Sequence, residues 1–163
     1  MKLIVTASFA IEYRSESSLR AVSIKTGTAL DCAVSSELLK NIFWNKAPLH
    51  DGAVIVREGR IVGAGCMLPL SGNVNLSRDL GMRHRAGIGM SEHSDAVVVI
   101  VSEETGSISV AVGGMLKRHL APETLDRLLR NELKTDEDDG EKKSDLFPLV
   151  AALFNRGKKE GTE

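Results

Sequence analysis

The stretch at residues 48–56, Pro-Leu-His-Asp-Gly-Ala-Val-Ile-Val, constrains the fold more than any other part of the chain. Its second half is an apolar run rich in β-branched residues, which is typical of a buried strand. His50 and Asp51 therefore lie at the start of that strand, where the core holds a polar pair rigidly. Because Asp-Gly is also a common turn dipeptide, the residues alone leave a plain turn as the alternative.

Length, charge and cysteine usage exclude several classes of protein. The 163 residues, 42% of them hydrophobic, suffice for one domain with a sizeable core but not for two. A balance of 21 basic and 22 acidic residues gives no overall charge for binding nucleic acid or an anionic membrane. Cys32 and Cys66 lack the spacing of a metal knuckle or a disulfide framework and are interpreted as buried thiols. The longest apolar run, residues 96–101, is far short of the ~20 residues that span a bilayer, so we expect a cytoplasmic protein.

The residue patterns predict an α/β domain over residues 1–134, in which helices flank a mixed central β-sheet. The Arg57-Glu58-Gly59-Arg60 sequence indicates a hairpin, residues 26–28 a turn, and Ser35 a helix cap. Glycines at 87 and 89 in the second helix are expected to serve close packing. The strands are predicted at 4–11, 19–24, 53–56, 61–68, 96–101 and 107–112, and the helices at 35–43, 81–90 and 122–133.

The composition changes after residue 134. Residues 135–145 hold six acidic residues and two lysines, which is typical of a solvated linker. A short apolar segment and a charged tail follow at 146–163. We expect this end to be weakly ordered, with docking on the domain or on a partner as the alternative.

Two further groups of residues carry chemistry. Arg83, His84 and Arg85 fall at a predicted helix N-terminus, where backbone N–H groups and the helix dipole favour an anion such as a polyphosphate. Glu103 and Glu104 follow the most apolar strand, and their carboxylates would repel a polyphosphate unless a divalent cation lay between them. Mg²⁺ and Mn²⁺ accept such ligands, and a histidine ligand favours Mn²⁺ or Co²⁺. Taken separately, each group is also consistent with a solvated turn.

Together these segments resemble a known family. Leu-His-Asp-Gly-Ala at 49–53, Gly-Met-Arg-His-Arg-Ala at 81–86 and Val-Ser-Glu-Glu-Thr-Gly at 101–106 are similar, in order and spacing, to the diadenylate cyclase domain. The resemblance extends over 34–43 and to about residue 116, and is closest to the membrane-associated bacterial cyclases. It implies a nucleotidyltransferase that condenses two ATP into the second messenger cyclic di-AMP and releases two pyrophosphates. It also implies a face-to-face homodimer with a divalent metal, and it leaves higher oligomers open. For the N-terminus it leaves two alternatives: a native protein tethered to the membrane through a region absent here, or an unusual version of the domain.

The resemblance assigns roles residue by residue. It implies metal ligation by His50, Asp51 and Glu104. It implies catalytic roles for Asp51, Arg83, His84 and Arg85. It implies nucleotide contacts from Gly52, Ala53, Met67, Leu68, Met82, Arg83, Ser102 and Glu103.

The chain also departs from the family pattern. The family usually has Thr at the position of Met82 and an aromatic residue at that of Met67, and it begins with a helix that residues 1–6 are too short to supply. Met67 can still cover adenine through its thioether. Met82 and the short N-terminus slightly favour a second hypothesis, a module that senses ATP or cyclic di-AMP without making it. The enzyme is favoured strongly by an intact residue set: His50, Asp51, Arg83, His84 and Glu104. The choice of adenine over guanine depends wholly on the resemblance.

Overall fold

The computed structural model describes residues 9–12, 26–57, 59–102 and 105–132. The predicted strand at 19–24, the acidic linker at 135–145 and the tail at 146–163 lie outside these residues. The described elements are, in order, β1 (Phe9–Glu12), β2 (Thr28–Ala33), α1 (Ser36–Ile42), β3 (Ala53–Arg57), β4 (Arg60–Cys66), α2 (Met82–Glu92), β5 (Val97–Val101), β6 (Ile108–Val112), β7 (Met115–Leu120) and α3 (Pro122–Glu132). The predicted α/β class with a mixed sheet is therefore confirmed.

The sheet consists of two antiparallel blocks joined by β1. Its strand order is β2-β4-β3-β1-β5-β6-β7. The strands β2, β4 and β3 pair antiparallel, as do β5, β6 and β7. Between the blocks, β1 pairs parallel with β3 and antiparallel with β5. The central strands β3 and β5 are buried along nearly their whole length, as expected for their continuous apolar runs.

The helices add their apolar faces to the same core. The Ser35 hydroxyl accepts a hydrogen bond from the Leu38 N–H at 3.2 Å, which confirms the predicted cap of α1. Leu39 and Ile42 of α1 and the leucines of α3 at 125 and 129 are buried in one cluster with the strand side chains. No helix in the described part of the chain is long and apolar enough to cross a membrane.

Helix α2 packs unusually close to its neighbours. A Cβ added at Gly87 would lie 2.7 Å from Cδ1 of Ile100 on β5, and one at Gly89 would lie 2.4 Å from the backbone nitrogen of Ser71. The expectation that these glycines serve close packing is confirmed. The helix therefore lies directly against β5 on one side and against the loop at 67–80 on the other.

Several predicted boundaries were wrong. Residues 28–33 and 115–120 form strands that the sequence patterns did not predict, and the strand predicted at 61–68 ends at Cys66. Both missed strands are sheet edges that expose most of their side chains, so they lack the apolar periodicity of a buried strand. The turn predicted at 26–28 gives way to β2 at Thr28, and only residues 9–12 of the first predicted strand are described.

Candidate functional site

The sheet brings the first and third sequence segments to one end. Ala53, the first residue of β3, pairs with Cys66, the last residue of β4. Because β1 runs parallel to β3 and antiparallel to β5, the start of β3 and the end of β5 lie at the same edge. The segment 49–53 and the described residues of the segment 101–106 therefore lie at one end of the sheet, together with the residues that follow β4.

The second segment reaches the same end through α2. The Nε2 atom of His84, in the first turn of α2, lies 3.3 Å from the hydroxyl of Ser109 near the start of β6. At the other end of the helix, the Ser91 hydroxyl accepts a hydrogen bond from the N–H of Gly114, which follows β6. Helix α2 thus runs alongside β6 in the same direction, and its N-terminus lies at the edge that holds the other two segments.

The N-terminus of α2 has the features of an anion site. Its N-cap, Gly81, makes no side-chain capping hydrogen bond, and the first turn contains no acidic residue. The first-turn N–H groups of a helix have no partner within the helix, and the dipole favours negative charge beside them. Half-buried Arg83 and Arg85 add two positive charges there. The arrangement suits a phosphate group.

His84 differs from the two arginines that flank it. Its ring is half-buried against Ser109, and burial, together with the positive charge of Arg118, lowers the pKa of the imidazole, although Asp79 acts in the opposite direction. The neutral ring is therefore favoured. His84 fastens the first turn of α2 to β6, whereas the Arg85 guanidinium makes a 3.4 Å contact with the backbone oxygen of Ser77 in the preceding loop.

His50 and Asp51 lie at the start of β3. The Nδ1 atom of His50 is 2.6 Å from the backbone oxygen of Ala47, and its backbone N–H donates to the same oxygen. With Nδ1 as the donor, the neutral ring carries its lone pair on Nε2, which is a common metal-ligating tautomer. Asp51 is exposed beside it. An imidazole and a carboxylate thus belong to consecutive residues at this end of the sheet.

Gly52 permits the tight approach of β3 to β4. Its φ of +105° is in the region that favours glycine, and an added Cβ would lie 2.7 Å from the carbonyl carbon of Gly65. The next residue, Ala53, is fully buried, so its methyl group belongs to the core. Close backbone packing is thus a physical reason for the Gly-Ala pair, beside the nucleotide contact that the resemblance implies.

The residues after β4 form an apolar part of the same edge. Met67 is 72% exposed, and its backbone N–H donates to the Thr26 hydroxyl at 2.9 Å. Leu68 is half-buried. An exposed thioether beside a partly buried leucine offers a surface on which a planar base can lie.

The turn after β5 is closed by hydrogen bonds. The N–H of Ser102 donates to the Ser107 backbone oxygen, and the N–H of Gly106 donates to that of Ser102, both at 2.9 Å. The Ser102 hydroxyl also accepts from the Thr105 N–H at 3.3 Å. Glu103 and Glu104 lie outside the described residues. Within the described ranges, no three acidic, histidine or cysteine side chains cluster as metal ligands would.

Sequence reasoning did not single out several residues at this edge. Asp79 and Arg118 form an ion pair at 2.8 Å near the N-terminus of α2, and Ser109 contacts His84. The sequence signal for Arg118 was the basic stretch Lys-Arg-His at 117–119, which lies in a strand that was not predicted.

Comparisons with known proteins agree with this arrangement. The family described as DAC, DisA bacterial checkpoint controller nucleotide-binding, matches residues 5–116. The chain is 51% identical over 116 residues to cyclic di-AMP synthase CdaA of Bacillus subtilis (strain 168), covering 71% of this chain and 42% of that protein. It is 49% identical over 112 residues to a diadenylate cyclase of Listeria monocytogenes serotype 1/2a (strain 10403S), covering 69% of this chain and 41% of the relative.

The structural comparison gives the same result. A crystal structure of DacA from Staphylococcus aureus, in a double-mutant form, superposes with a TM-score of 0.70 at 44% identity and covers 77% of this chain and 82% of that one. The chain spans less than half the length of the two curated relatives. The family match alone nevertheless covers more than half of the residues, and the resemblance read from the three sequence segments is confirmed: this chain belongs to the DAC family of nucleotide-binding domains.

Proposed function

We propose that this chain is a diadenylate cyclase that condenses two ATP molecules into cyclic di-AMP and releases two pyrophosphates. The observation that carries the proposal is the meeting of three segments, 49–53, 81–86 and 101–106, at one end of the sheet around the N-terminus of α2. The names of the relatives, cyclic di-AMP synthase and diadenylate cyclase, support it. Cyclic di-AMP is a bacterial second messenger, so the role would be in signalling.

The reaction needs charge neutralisation and alignment more than covalent chemistry. Each ribose 3'-hydroxyl attacks the α-phosphate of the other ATP, an O–P bond forms, the bond to pyrophosphate breaks, and the hydroxyl proton passes to a base. The α2 N-terminus with Arg83 and Arg85 is suited to hold the triphosphate. His84 contributes by fixing the first turn of that helix to β6. Asp51, exposed beside this end of the sheet, is the candidate to orient the hydroxyl and accept its proton.

The base and ribose would be held by the ends of β4 and β5. Met67 and Leu68 offer the apolar surface for adenine, and the turn that begins at Ser102 provides polar contacts, including Glu103. Gly52 allows the backbone to approach closely, while Met82, 66% exposed at the first position of α2, lies where a phosphate contact is expected.

A divalent metal fits the donor set at the start of β3. His50 and Asp51 supply one nitrogen and one carboxylate, and Mg²⁺ or Mn²⁺ is commonly held by one or two protein ligands completed by phosphate oxygens. Glu104 is proposed as a further ligand, and Co²⁺ is compatible with the histidine. When bound, such an ion neutralises phosphate charge and polarises the attacked phosphorus.

Two copies of the chain are needed, because the described part of each protomer has one such helix terminus and the product joins two nucleotides. The loop at 67–80, which connects the end of β4 to α2, exposes the apolar side chains of Met67, Leu70 and Val74, and Met82 is exposed just beyond it. Exposed apolar surface next to a site is typical of an interaction face. We propose a face-to-face homodimer there, weak enough to open for product release.

The test is incubation of the purified chain with ATP and Mn²⁺ over a range of protein concentrations, with products separated by chromatography and identified by mass spectrometry. Cyclic di-AMP formed at a specific activity that rises with protein concentration is the expected result. If the chain binds ATP but forms no product at high protein concentration, the second candidate, a nucleotide-sensing module, is favoured. The observation that supports this candidate is Met82, an exposed thioether where the family usually has a hydroxyl.

The residue-level test is Asp51→Asn. We expect ATP affinity within roughly tenfold of the parent but cyclisation slower by more than about 100-fold, the range typical of losing a catalytic group. Asp31→Asn is the matched control, because Asp31 pairs with Arg60 at the opposite end of β4 from Cys66. Equal rates for Asp51→Asn and the control would show that the role assigned to Asp51 is wrong.

A further inference from the structure

The edge strand β7 contains a β-bulge next to the candidate site. Ile108 of β6 pairs with Leu120 of β7, and Val110 pairs with Lys117. Between these pairs one residue of β6, at position 109, faces two residues of β7, at positions 118 and 119. Bulges of this kind redirect side chains and are common beside active sites.

His119 adopts an unusual backbone conformation in the bulge. Its φ is +55°, one of two positive values among the described non-glycine residues. Residues other than glycine rarely adopt this region, and a local energetic cost of this kind often marks a functional site. The surrounding structure therefore holds His119 in a backbone conformation that residues with a side chain disfavour, and the contacts of the two bulge residues offer a reason.

The first bulge residue reaches the loop ahead of α2. The Nη1 atom of Arg118 donates to Oδ2 of Asp79 at 2.8 Å, and Asp79 also accepts a hydrogen bond from the Ser77 hydroxyl. The Ser77 bond, then Arg118, lowers the pKa of the Asp79 carboxyl to about 2. Asp79 precedes the N-cap Gly81 by two residues. Arg118 therefore ties the entry of the phosphate-binding helix to β7.

The second bulge residue reaches the turn after β5. The Nδ1 atom of His119 lies 3.0 Å from the Ser107 hydroxyl. Ser107 in turn accepts, through its backbone oxygen, the hydrogen bond from Ser102 that closes the turn. His119 therefore contacts the residue on which the Ser102–Ser107 closure depends.

We propose that Arg118 and His119 are positioning residues of the nucleotide site: the bulge in β7 fixes the N-terminus of α2 through Asp79 and the turn after β5 through Ser107. This role, which concerns two residues that lie beyond the family match at 5–116, depends on the proposed function. Two segments that are far apart in sequence are thereby fastened to one strand. The position of the α2 N-terminus relative to the turn after β5 determines whether one ATP molecule can contact both of them, through its phosphates and its ribose.

The first part of the proposal, the Arg118–Asp79 contact, is tested by measuring ATP affinity with calorimetry. Arg118→Ala and Asp79→Asn are each expected to weaken binding about fivefold, with no further loss in the double variant, because both remove the same link. Arg118→Lys should recover part of the affinity. Arg130→Ala is the matched control, since Arg130 makes an exposed ion pair of the same length with Asp126 on α3.

The outcomes of this test are decisive. A link that is merely structural would lower the melting temperature of Arg118→Ala without changing ATP affinity, which overturns the proposal. Loss of affinity in Arg118→Ala with unchanged or tighter binding in Asp79→Asn also overturns it, because Arg118 would then contact phosphate directly. If Arg118→Ala and Asp79→Asn both bind ATP as tightly as Arg130→Ala does, the proposal is overturned as well.

The second part of the proposal, the His119–Ser107 contact, is tested by measuring turnover at saturating ATP. His119→Gly keeps the backbone of the bulge without strain but removes the imidazole, so we expect turnover about fivefold lower with no loss of thermal stability. Lys117→Ala, a neighbouring exposed position, is the control. Turnover equal to the control overturns this part of the proposal.

Failure of the proposal and failure of the proposed function give different results. A parent chain that binds no ATP overturns the proposed function and the role of the bulge with it. A parent that binds ATP, with variants that bind it equally well, overturns the role of Arg118 alone.

Discussion

Replacing Gly52 by alanine tests the tight junction between β3 and β4 at the candidate site. Two costs combine at this position. The φ of +105° disfavours any residue with a Cβ, and the added atom would lie 2.7 Å from the Gly65 carbonyl carbon and 3.0 Å from the Cys66 oxygen. Both neighbours are backbone atoms, which cannot move aside as a flexible side chain can.

The expected loss of stability follows from these costs. A positive φ costs roughly 1–2 kcal/mol for a residue with a side chain, and forcing an extra methyl group into packed surroundings costs roughly 1–3 kcal/mol. The lower entropy of the unfolded alanine chain offsets about 0.5 kcal/mol. We expect Gly52→Ala to lower the free energy of unfolding by about 3 kcal/mol, which corresponds to a fall in Tm of ~10 °C for a chain of this length.

Matched glycine variants separate the two costs. Gly59 has a φ of +72° but no atom within 4 Å of an added Cβ, so Gly59→Ala measures the backbone cost alone, about 1 kcal/mol. Gly72 has neither a positive φ nor a near neighbour, so Gly72→Ala should be neutral or slightly stabilising. Urea unfolding followed by far-UV circular dichroism is the suitable assay, because the single tryptophan, Trp44, is 68% exposed and reports poorly on the core.

The comparison between Gly52→Ala and Gly59→Ala decides the reasoning. If both variants lose the same stability, the close approach of Gly52 to Gly65 contributes nothing, and the account of the junction is refuted. Loss of cyclic di-AMP formation without loss of stability in Gly52→Ala would instead indicate that the glycine is needed only for the nucleotide.

Three other predictions concern stability and reactivity. Ser35→Ala should cost about 1 kcal/mol in urea unfolding, because the hydroxyl that accepts from the Leu38 N–H caps α1, and an unchanged midpoint would refute the capping role. Burial lowers the pKa of His84, so the unfolded chain binds this proton more readily, and stability present above about pH 6.5 is lost as the pH falls. Unfolding midpoints measured from pH 7.5 to 5.5 should therefore fall less in His84→Gln than in the parent, and parallel curves would contradict this. Burial also raises the pKa of the Cys66 thiol, so a disulfide reagent should modify half-buried Cys32 before Cys66 in the native protein, and the opposite order would be inconsistent with the described burial.

The sequence was most informative where burial and capping act together. The runs that form β3 and β5 are apolar at every central position. The cap at Ser35 predicts the start of α1, and the leucine spacing predicts α3. The edge strands β2 and β7 were missed because they alternate weakly and carry charged residues. Edge strands need only one hydrogen-bonded neighbour, which leaves little trace in apolar periodicity.

The candidate site was predictable as three segments but not as an arrangement. Order along the chain does not reveal that β1 lies between β3 and β5, so the sequence could not place the 49–53 and 101–106 segments at the same edge. Nor could it show that His84 turns towards Ser109 while Arg83 and Arg85 remain near the helix terminus. The bulge in β7 was invisible because a register shift is a property of two strands together.

The position of β1 has a consequence for how the site is assembled. The strands that carry His50 and the turn at 102–107 are second neighbours, separated by two interstrand spacings, about 10 Å, with β1 filling the gap. Four residues, Phe9–Glu12, thus set the width of the space between the two halves of the site. Each half belongs to a three-stranded antiparallel block with its own hydrogen bonds, so within the sheet β1 alone pairs with both blocks, and the pairing inside each block does not depend on it.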